Sequence, residues 1–194
     1  MARGGQGLAR VAVVVRAGAA PLWWCGVLAA GVGVLPPGIT GRRIGVMAGA
    51  ALFVVAAAVV ALARRGRYTA LARTAVRAGK HDVLQDRGVT VRNWRRGHRW
   101  WLLLALVAAL GSAFAVPAAG GLLLAGCGTG LRLKAAWLGR LERAGDALLW
   151  VRVDWLAADG GRPVGKAVGS YRSTGIAAGD AAPGGARRRT AALV

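Results

Sequence analysis

The sequence predicts an all-α integral membrane protein, with four transmembrane helices paired as two hairpins and joined by basic amphipathic cytoplasmic segments. Three observations carry that expectation. Residues 44–63 and 100–131 contain no charged side chain, although 18% of the chain is Asp, Glu, Lys or Arg. A soluble domain mixes its charges along the chain, so uncharged blocks of this length read as segments solvated by lipid. Two tryptophan pairs, Trp23–Trp24 and Trp100–Trp101, stand near the starts of apolar runs, where a half-apolar ring suits the boundary between lipid and water. The third observation is charge placement: 27 Lys and Arg against 7 Asp and Glu, crowded into the segments between the apolar runs.

The first helix is expected from Ala19 to Leu35. That length spans about 26 Å at 1.5 Å per residue, against a hydrocarbon core of about 30 Å. Val11–Val15 lengthen it if Arg16 snorkels to the headgroups, and Pro36, Pro37 and Gly38 stop it. The apolar run passes the small residues near Ala30 and turns into a second run, which reads as a retained signal-anchor. The second helix is Ile44–Ala63, twenty residues without a charge. The third runs from Trp100 to Val116 and is broken by Pro117. The fourth starts at Ala118 and spans only if Arg132 and Lys134 snorkel and the helix continues to Trp137; a re-entrant hairpin of the third and fourth segments is the alternative. Each hairpin has a Trp pair near its start and a Pro-containing turn. Internal duplication and convergence on the same membrane physics both account for that.

Placing both termini and residues 64–99 in the cytoplasm puts 25 of the 27 basic residues inside, leaving Arg42 and Arg43 outside. This is the positive-inside arrangement of an inner-membrane protein. The organisation is then an N-terminal segment and first hairpin (1–63), a basic cytoplasmic segment (64–99), a second hairpin (100–138), a cytoplasmic amphipathic region (139–169) and a disordered basic tail (170–194). Within 64–99, Tyr68, Leu71, Ala75 and Gly79 share one helical face, and Arg73, Arg77 and Lys80 another. Such a helix lies on the membrane surface or continues the second span into water. Trp137, Leu141, Leu148 and Trp155 recur at near-helical spacing, so a helix is expected to about Leu149. Residues 150–170 stay open, because "WVRVDW" also alternates like a strand.

Two sets of residues stand out. Gly45 and Gly49, with Gly126 and Gly130, are small residues four apart, a spacing that lets helix backbones approach closely in lipid. Arg92, Trp94, Arg95, Arg96, Arg99, Trp100 and Trp101 interleave guanidiniums with indoles. Contact with anionic lipid headgroups is the first expectation for them, at about 1 kcal/mol per basic residue. Phosphate contact with base stacking on nucleic acid is the sharper alternative, unsupported by any nucleic-acid-binding motif.

No catalytic, cofactor-binding or metal-ligating set emerges. "GGRPVGKA" (160–167) matches a phosphate-loop spacing, but Ala167 stands where Ser or Thr is needed. His81, Asp82 and Asp86 lack the further ligands of a metal site. Cys25 and Cys127 lie singly in apolar runs and read as packing residues. The apolar runs hold no Asp, Glu or His, the groups that ion-coupled pumps and intramembrane enzymes place at depth.

The expected function is therefore non-enzymatic. The chain acts by assembly with itself or a membrane protein partner, while its basic parts contact lipid. Pore formation of the holin kind and service as a transporter accessory subunit are the alternatives. In its size, its Arg- and Ala-rich composition, its tryptophan-flanked hairpins such as "HRWWLLLALVAALG" (98–111) and its basic tail, the chain resembles the small membrane proteins of actinobacterial plasmid transfer and spread. That resemblance implies a role in plasmid transfer. It rests on general character and assigns no site residues.

Overall fold

The computed structural model describes residues 7–36, 38–79 and 82–176. Strand β1 (Gly7–Arg10) leads into helices α1 (Val11–Ala17) and α2 (Ala19–Gly33); after a turn come α3 (Arg42–Leu62) and α4 (Arg65–Arg73). Strands β2 (Val76–Arg77) and β3 (Val83–Leu84) precede the long helices α5 (Arg87–Ser112) and α6 (Ala119–Ala144). Strand β4 (Ala147–Arg152), helix α7 (Val153–Ala158) and strand β5 (Arg172–Gly175) follow.

The fold is mixed α/β, which corrects the all-α expectation. Five strands form one sheet in the order β2-β5-β4-β1-β3. β4 is antiparallel to β1 and β5, with Ala9 opposite Val151 and Leu149 opposite Ser173. β1 runs parallel to β3, and β2 parallel to β5. The helix expected to reach Leu149 stops at Ala144, and Asp146 adopts a left-handed φ of 47° at the reversal. The extended alternative for "WVRVDW" is realised only as far as Arg152, where α7 begins. Residues 172–175, expected in a disordered tail, form β5. The rest of that tail, from 177, and Lys80 and His81 lie outside the described residues.

Alternation along β4 explains why it is a strand. Leu149 and Val151 face a core shared with Val11, Val14 and Val15 of α1, Tyr68 and Leu71 of α4 and Leu138 of α6. Leu148 and Trp150 point the other way, onto Leu8, Ala78 and Leu84. A period of two with both faces covered belongs to an internal strand. Trp150 is fully buried, and its indole N–H donates to Thr174 Oγ1 at 2.8 Å. The valines of α1 thus cover the sheet rather than simply extending a span.

The second correction concerns the spans. Among the described residues, two helical segments, Val11–Gly33 and Arg42–Arg73, are long and apolar enough to cross a membrane. α5 is long, but its first half carries Arg87, Arg92, Arg95, Arg96 and Arg99, leaving only Trp100–Ser112 apolar. Those residues reach about 20 Å, short of a bilayer core of about 30 Å. α6 dilutes its leucines with glycine and carries Arg132 and Lys134. It is the central helix, packed against both α2 and α3, so its composition reflects close packing rather than lipid exposure.

α2 and α3 each pack on α6 rather than pairing with one another as a hairpin, and the turn that joins them meets the turn between α5 and α6. There Ile39 N donates to Phe114 O (3.2 Å), Thr40 N to Ala115 O (3.3 Å) and Ala118 N to Gly33 O (3.1 Å). Gly38 sits at φ +61°, with the Pro117 ring where a β-carbon would lie, 2.6 Å away. Glycine alone meets both demands.

Behind the sheet, Tyr171 is fully buried and its hydroxyl donates to Pro163 O at 2.7 Å. Burial pushes its ionisation far above the ordinary phenol value of 10.0; nearby Tyr68 adds to this and Arg67 opposes it. Above that pH the unfolded chain releases a proton that the folded chain retains, so stability falls as pH rises. Tyr171→Phe is expected to cost about 1 kcal/mol at neutral pH and to flatten the decline above pH 10. Denaturant midpoints followed by circular dichroism from pH 8 to 11 check both effects.

Candidate functional site

The clearest concentration of unbalanced charge is a cleft of about 700 Å³ between α1, α5 and α6. Arg10, Arg16, Arg87, Arg95 and Arg132 line it, over a floor that includes Val13, Ala17, Ala20, Val91 and Ala135; no Asp or Glu contributes to the lining. Helical spacing builds part of it: Arg87, Val91 and Arg95 follow at i, i+4 and i+8 on α5 and so share one face. Arg16 projects from the last turn of α1 and Arg132 from mid-α6, where its guanidinium lies over the Trp23 ring, 5.2 Å from the centroid.

One of the five guanidiniums is tied down. Arg10 Nη2 lies 2.7 Å from Glu142 Oε2, and Glu142 Oε1 accepts the Leu149 N–H at 3.1 Å. Glu142 is only 2% exposed. It thereby joins the last turn of α6 to β1 and β4 and gives Arg10 a fixed place at the cleft wall. Arg16, Arg87, Arg95 and Arg132 are exposed. Four guanidiniums drawn together without a carboxylate repel one another and favour an anion between them.

The cleft adjoins an apolar surface. Trp24, Leu28 and Val32 follow one another at helical spacing along α2, each more than half exposed. Met47, Val54, Val55 and Leu62 do the same on α3, and Trp100, Trp101, Leu104 and Val107 on α5. Contiguous exposed apolar surface on this scale marks contact with lipid or a partner. Tryptophan and arginine mark its sheet-side rim: Arg99 lies over Trp100, Arg65 over Trp137 and Arg132 over Trp23, at 5.1 to 5.3 Å. Lys134, 7% exposed, sits over Tyr68 at 5.9 Å, and burial, then Arg65 and Arg64, holds its pKa down.

The residues singled out from sequence separate around α5. Arg95 joins the arginine cleft. Trp94 and Trp101 turn instead to a second cavity of about 420 Å³, beside His98, Leu156 and Gly161. There the His98 ring stacks on Trp94 at 4.2 Å, with its Nδ1 2.9 Å from Trp94 O and its Nε2 3.3 Å from Gly160 O. Arg92, Arg96, Arg99 and Trp100 are exposed. A single stacking platform of alternating Arg and Trp does not form.

The four glycines are spread along the contact of α3 with α6 and the turn before it, each against a different neighbour. A β-carbon on Gly45 would meet Pro117 N at 2.8 Å, and one on Gly49 would meet Leu122 Cδ1 at 2.6 Å. On α6, Gly126 abuts the Phe53 carbonyl, and Gly130 would meet Ala57 O at 2.7 Å. Gly26, Gly121 and Gly128 make the equivalent close approach between α2 and α6.

Arg16, Arg87 and Arg132 are not among the site residues that the sequence singles out; Arg16 and Arg132 read there only as cations snorkelling to the headgroups. They lie in three different segments, and only the packing of three helices gathers them with Arg95. The aspartates near His81 have local duties: Asp86 caps α5 by accepting from Gly88 N at 2.9 Å, and Asp82 accepts from Gly79 N at 2.8 Å. In "GGRPVGKA" the Asp159 carboxylate accepts the Ala167 N–H at 2.8 Å and packs beside Gly165. A carboxylate held there disfavours phosphate. Among the described residues no group of three or more His, Cys, Asp or Glu could hold a metal.

The chain matches none of the protein-family models, curated proteins or solved structures with which it was compared.

Proposed function

We propose that this chain is a non-enzymatic membrane protein that works by assembly, holding its sheet and its arginine cleft against the inner face of the plasma membrane. The observation that carries this reading is the sharp change along the helices. Bulky apolar side chains stay exposed over α2, α3 and the second half of α5, and the exposed surface becomes arginine and tryptophan at the sheet end. Water does not select such a surface, whereas a bilayer with anionic headgroups solvates both parts of it.

In this reading α2 and α3, which lie within the two candidate spans Val11–Gly33 and Arg42–Arg73, are embedded in the bilayer, while α1 and α4 stay packed on the sheet. The sheet lies in the cytoplasm with both termini, and the Ile39 turn lies outside. The exposed face of α3 is free to meet a second copy or a membrane partner, and plasmid transfer remains the process its general character resembles. Nucleic acid is the second ligand class open to the outward arginines Arg92, Arg96 and Arg99.

Two measurements test the reading. The chain is expected to stay with membranes through high salt and alkaline carbonate and to leave them only in detergent; release by salt alone would refute membrane embedding. In a chain with Cys25 and Cys127 replaced by Ala, a cysteine at Ile39 is expected to react with an impermeant maleimide in intact cells. One at Arg162 is expected to react only after lysis. The reverse pattern would invert the orientation.

A further inference from the structure

The arginine cleft has features that a general attraction to an anionic surface does not require. Surface arginines that only set topology need no cavity and no convergence. Here guanidiniums from α1, α5 and α6 meet around one hollow. Glu142 offsets Arg10, so the lining together with Glu142 carries a net +4. A single phosphodiester brings one negative charge and leaves most of that unbalanced. Two phosphates on one molecule balance two or more of the charges, and each can take a forked pair of guanidinium hydrogen bonds. The volume, about 700 Å³, is that of a small-ligand site and far exceeds one phosphate.

The surroundings specify the rest of the ligand. Between the arginines the floor is Ala and Val, with no hydroxyl or amide to read a sugar or a base. At its edge, Ala19 and Ala20 begin α2, whose exposed Trp24, Leu28 and Val32 continue away from the sheet. An anion seated in the cleft can therefore lay an attached hydrocarbon chain along an apolar helix without leaving its phosphates.

We infer that the cleft is a binding site for an amphiphile bearing two phosphates, with the phosphates on Arg16, Arg87, Arg95 and Arg132 and the hydrocarbon along α2. This rests on the reading of the helices as lipid-facing, and it adds a defined ligand class and stoichiometry. Two lipid sources share this chemistry, a diphosphatidyl lipid and a prenyl diphosphate, and they differ in the spacing of their phosphates.

The test uses the full chain in a neutral detergent, titrated with cardiolipin, geranylgeranyl diphosphate, phosphatidylglycerol and inorganic pyrophosphate. Binding is read by intrinsic tryptophan fluorescence and by native mass spectrometry. One two-phosphate amphiphile is expected to bind at one per chain, at least ten-fold tighter than phosphatidylglycerol or pyrophosphate; whichever of the two binds tighter gives the phosphate spacing. Arg95→Gln with Arg132→Gln is expected to weaken it at least ten-fold. Arg162→Gln with Lys166→Gln removes the same charge from an exposed loop and is expected to change affinity less than two-fold. Thermal midpoints within a few degrees of the parent establish that both variants are folded.

Equal affinity for phosphatidylglycerol would overturn the two-phosphate requirement, and equal affinity for pyrophosphate would overturn the hydrocarbon contact. Equal losses in the two double variants would reduce the cleft to diffuse electrostatics. Each of these results leaves membrane fractionation untouched, so the inference can fail while the membrane reading stands.

Discussion

Gly126→Leu is expected to prevent the native helix packing altogether. Gly126 abuts the Phe53 carbonyl, and its new β-carbon would also meet Phe53 Cα at 2.9 Å. The obstacle is the backbone of α3, which cannot swing aside as a flexible side chain can. Overpacking a well-filled interior typically costs about 1–3 kcal/mol, and more where backbone must move. Here the helices must separate along a line that also includes Gly45, Gly49 and Gly130, so a cost of about 3 kcal/mol or more is expected. Gly126→Ala should be weaker but still destabilising, because even one methyl meets the same carbonyl. Gly139→Ala on the same helix has open space and should gain up to about 1 kcal/mol from helix propensity. Thermal unfolding in detergent, followed at 222 nm, ranks the three. A Gly126→Leu chain with the parent midpoint would refute the α3–α6 contact.

Glu142→Leu carries the second large effect. It deprives the buried Leu149 N–H of its acceptor and removes the carboxylate facing Arg10. Breaking a buried pair by removing one partner costs about 3–5 kcal/mol. The Arg10 side chain is 23% exposed and recovers some hydration, which places the expected loss near the low end, at about 3 kcal/mol. Glu142→Gln should lose less, because the amide oxygen can still accept from Leu149. The damage is expected to be local to the sheet: amide exchange should accelerate in β1 and β4 while α2 and α3 keep their protection. Uniform acceleration through all four helices would show that the sheet and the helical layer unfold as one unit, and would refute this division.

Two features of the fold could be read directly from residue order. The uncharged run 44–63 became α3, because twenty residues without a charge and without an internal proline permit little else than a continuous helix. The breaks between the apolar runs also fall near the prolines: α2 ends at Gly33, ahead of Pro36, and α5 ends at Ser112, four residues before the expected end at Val116. The tryptophan pairs and their neighbouring arginines likewise marked the rim, since that preference belongs to the side chain itself and needs no partner.

The sheet was hidden for a different reason. β2 and β3 are two residues long and β1 and β5 four, too short for alternation to register. Their pairing is nonlocal: β1 lies between β3 and β4, some 75 and 140 residues away in sequence. β4 does alternate, but the sequence leaves its strand character open only from Trp150; Ala147–Leu149 read as the end of the neighbouring helical pattern, which the left-handed Asp146 breaks.

By itself, then, the sequence determined the partition between apolar helices and basic surroundings, because hydrophobicity and charge are properties each residue brings to its place. Tertiary structure alone decided that residues 7–10 complete a sheet, that α6 is central through its glycines, and that arginines from three helices face one hollow. Those outcomes depend on which segments meet: spacing along α5 aligns Arg87 with Arg95, but nothing in any one segment shows that Arg16 and Arg132 join them.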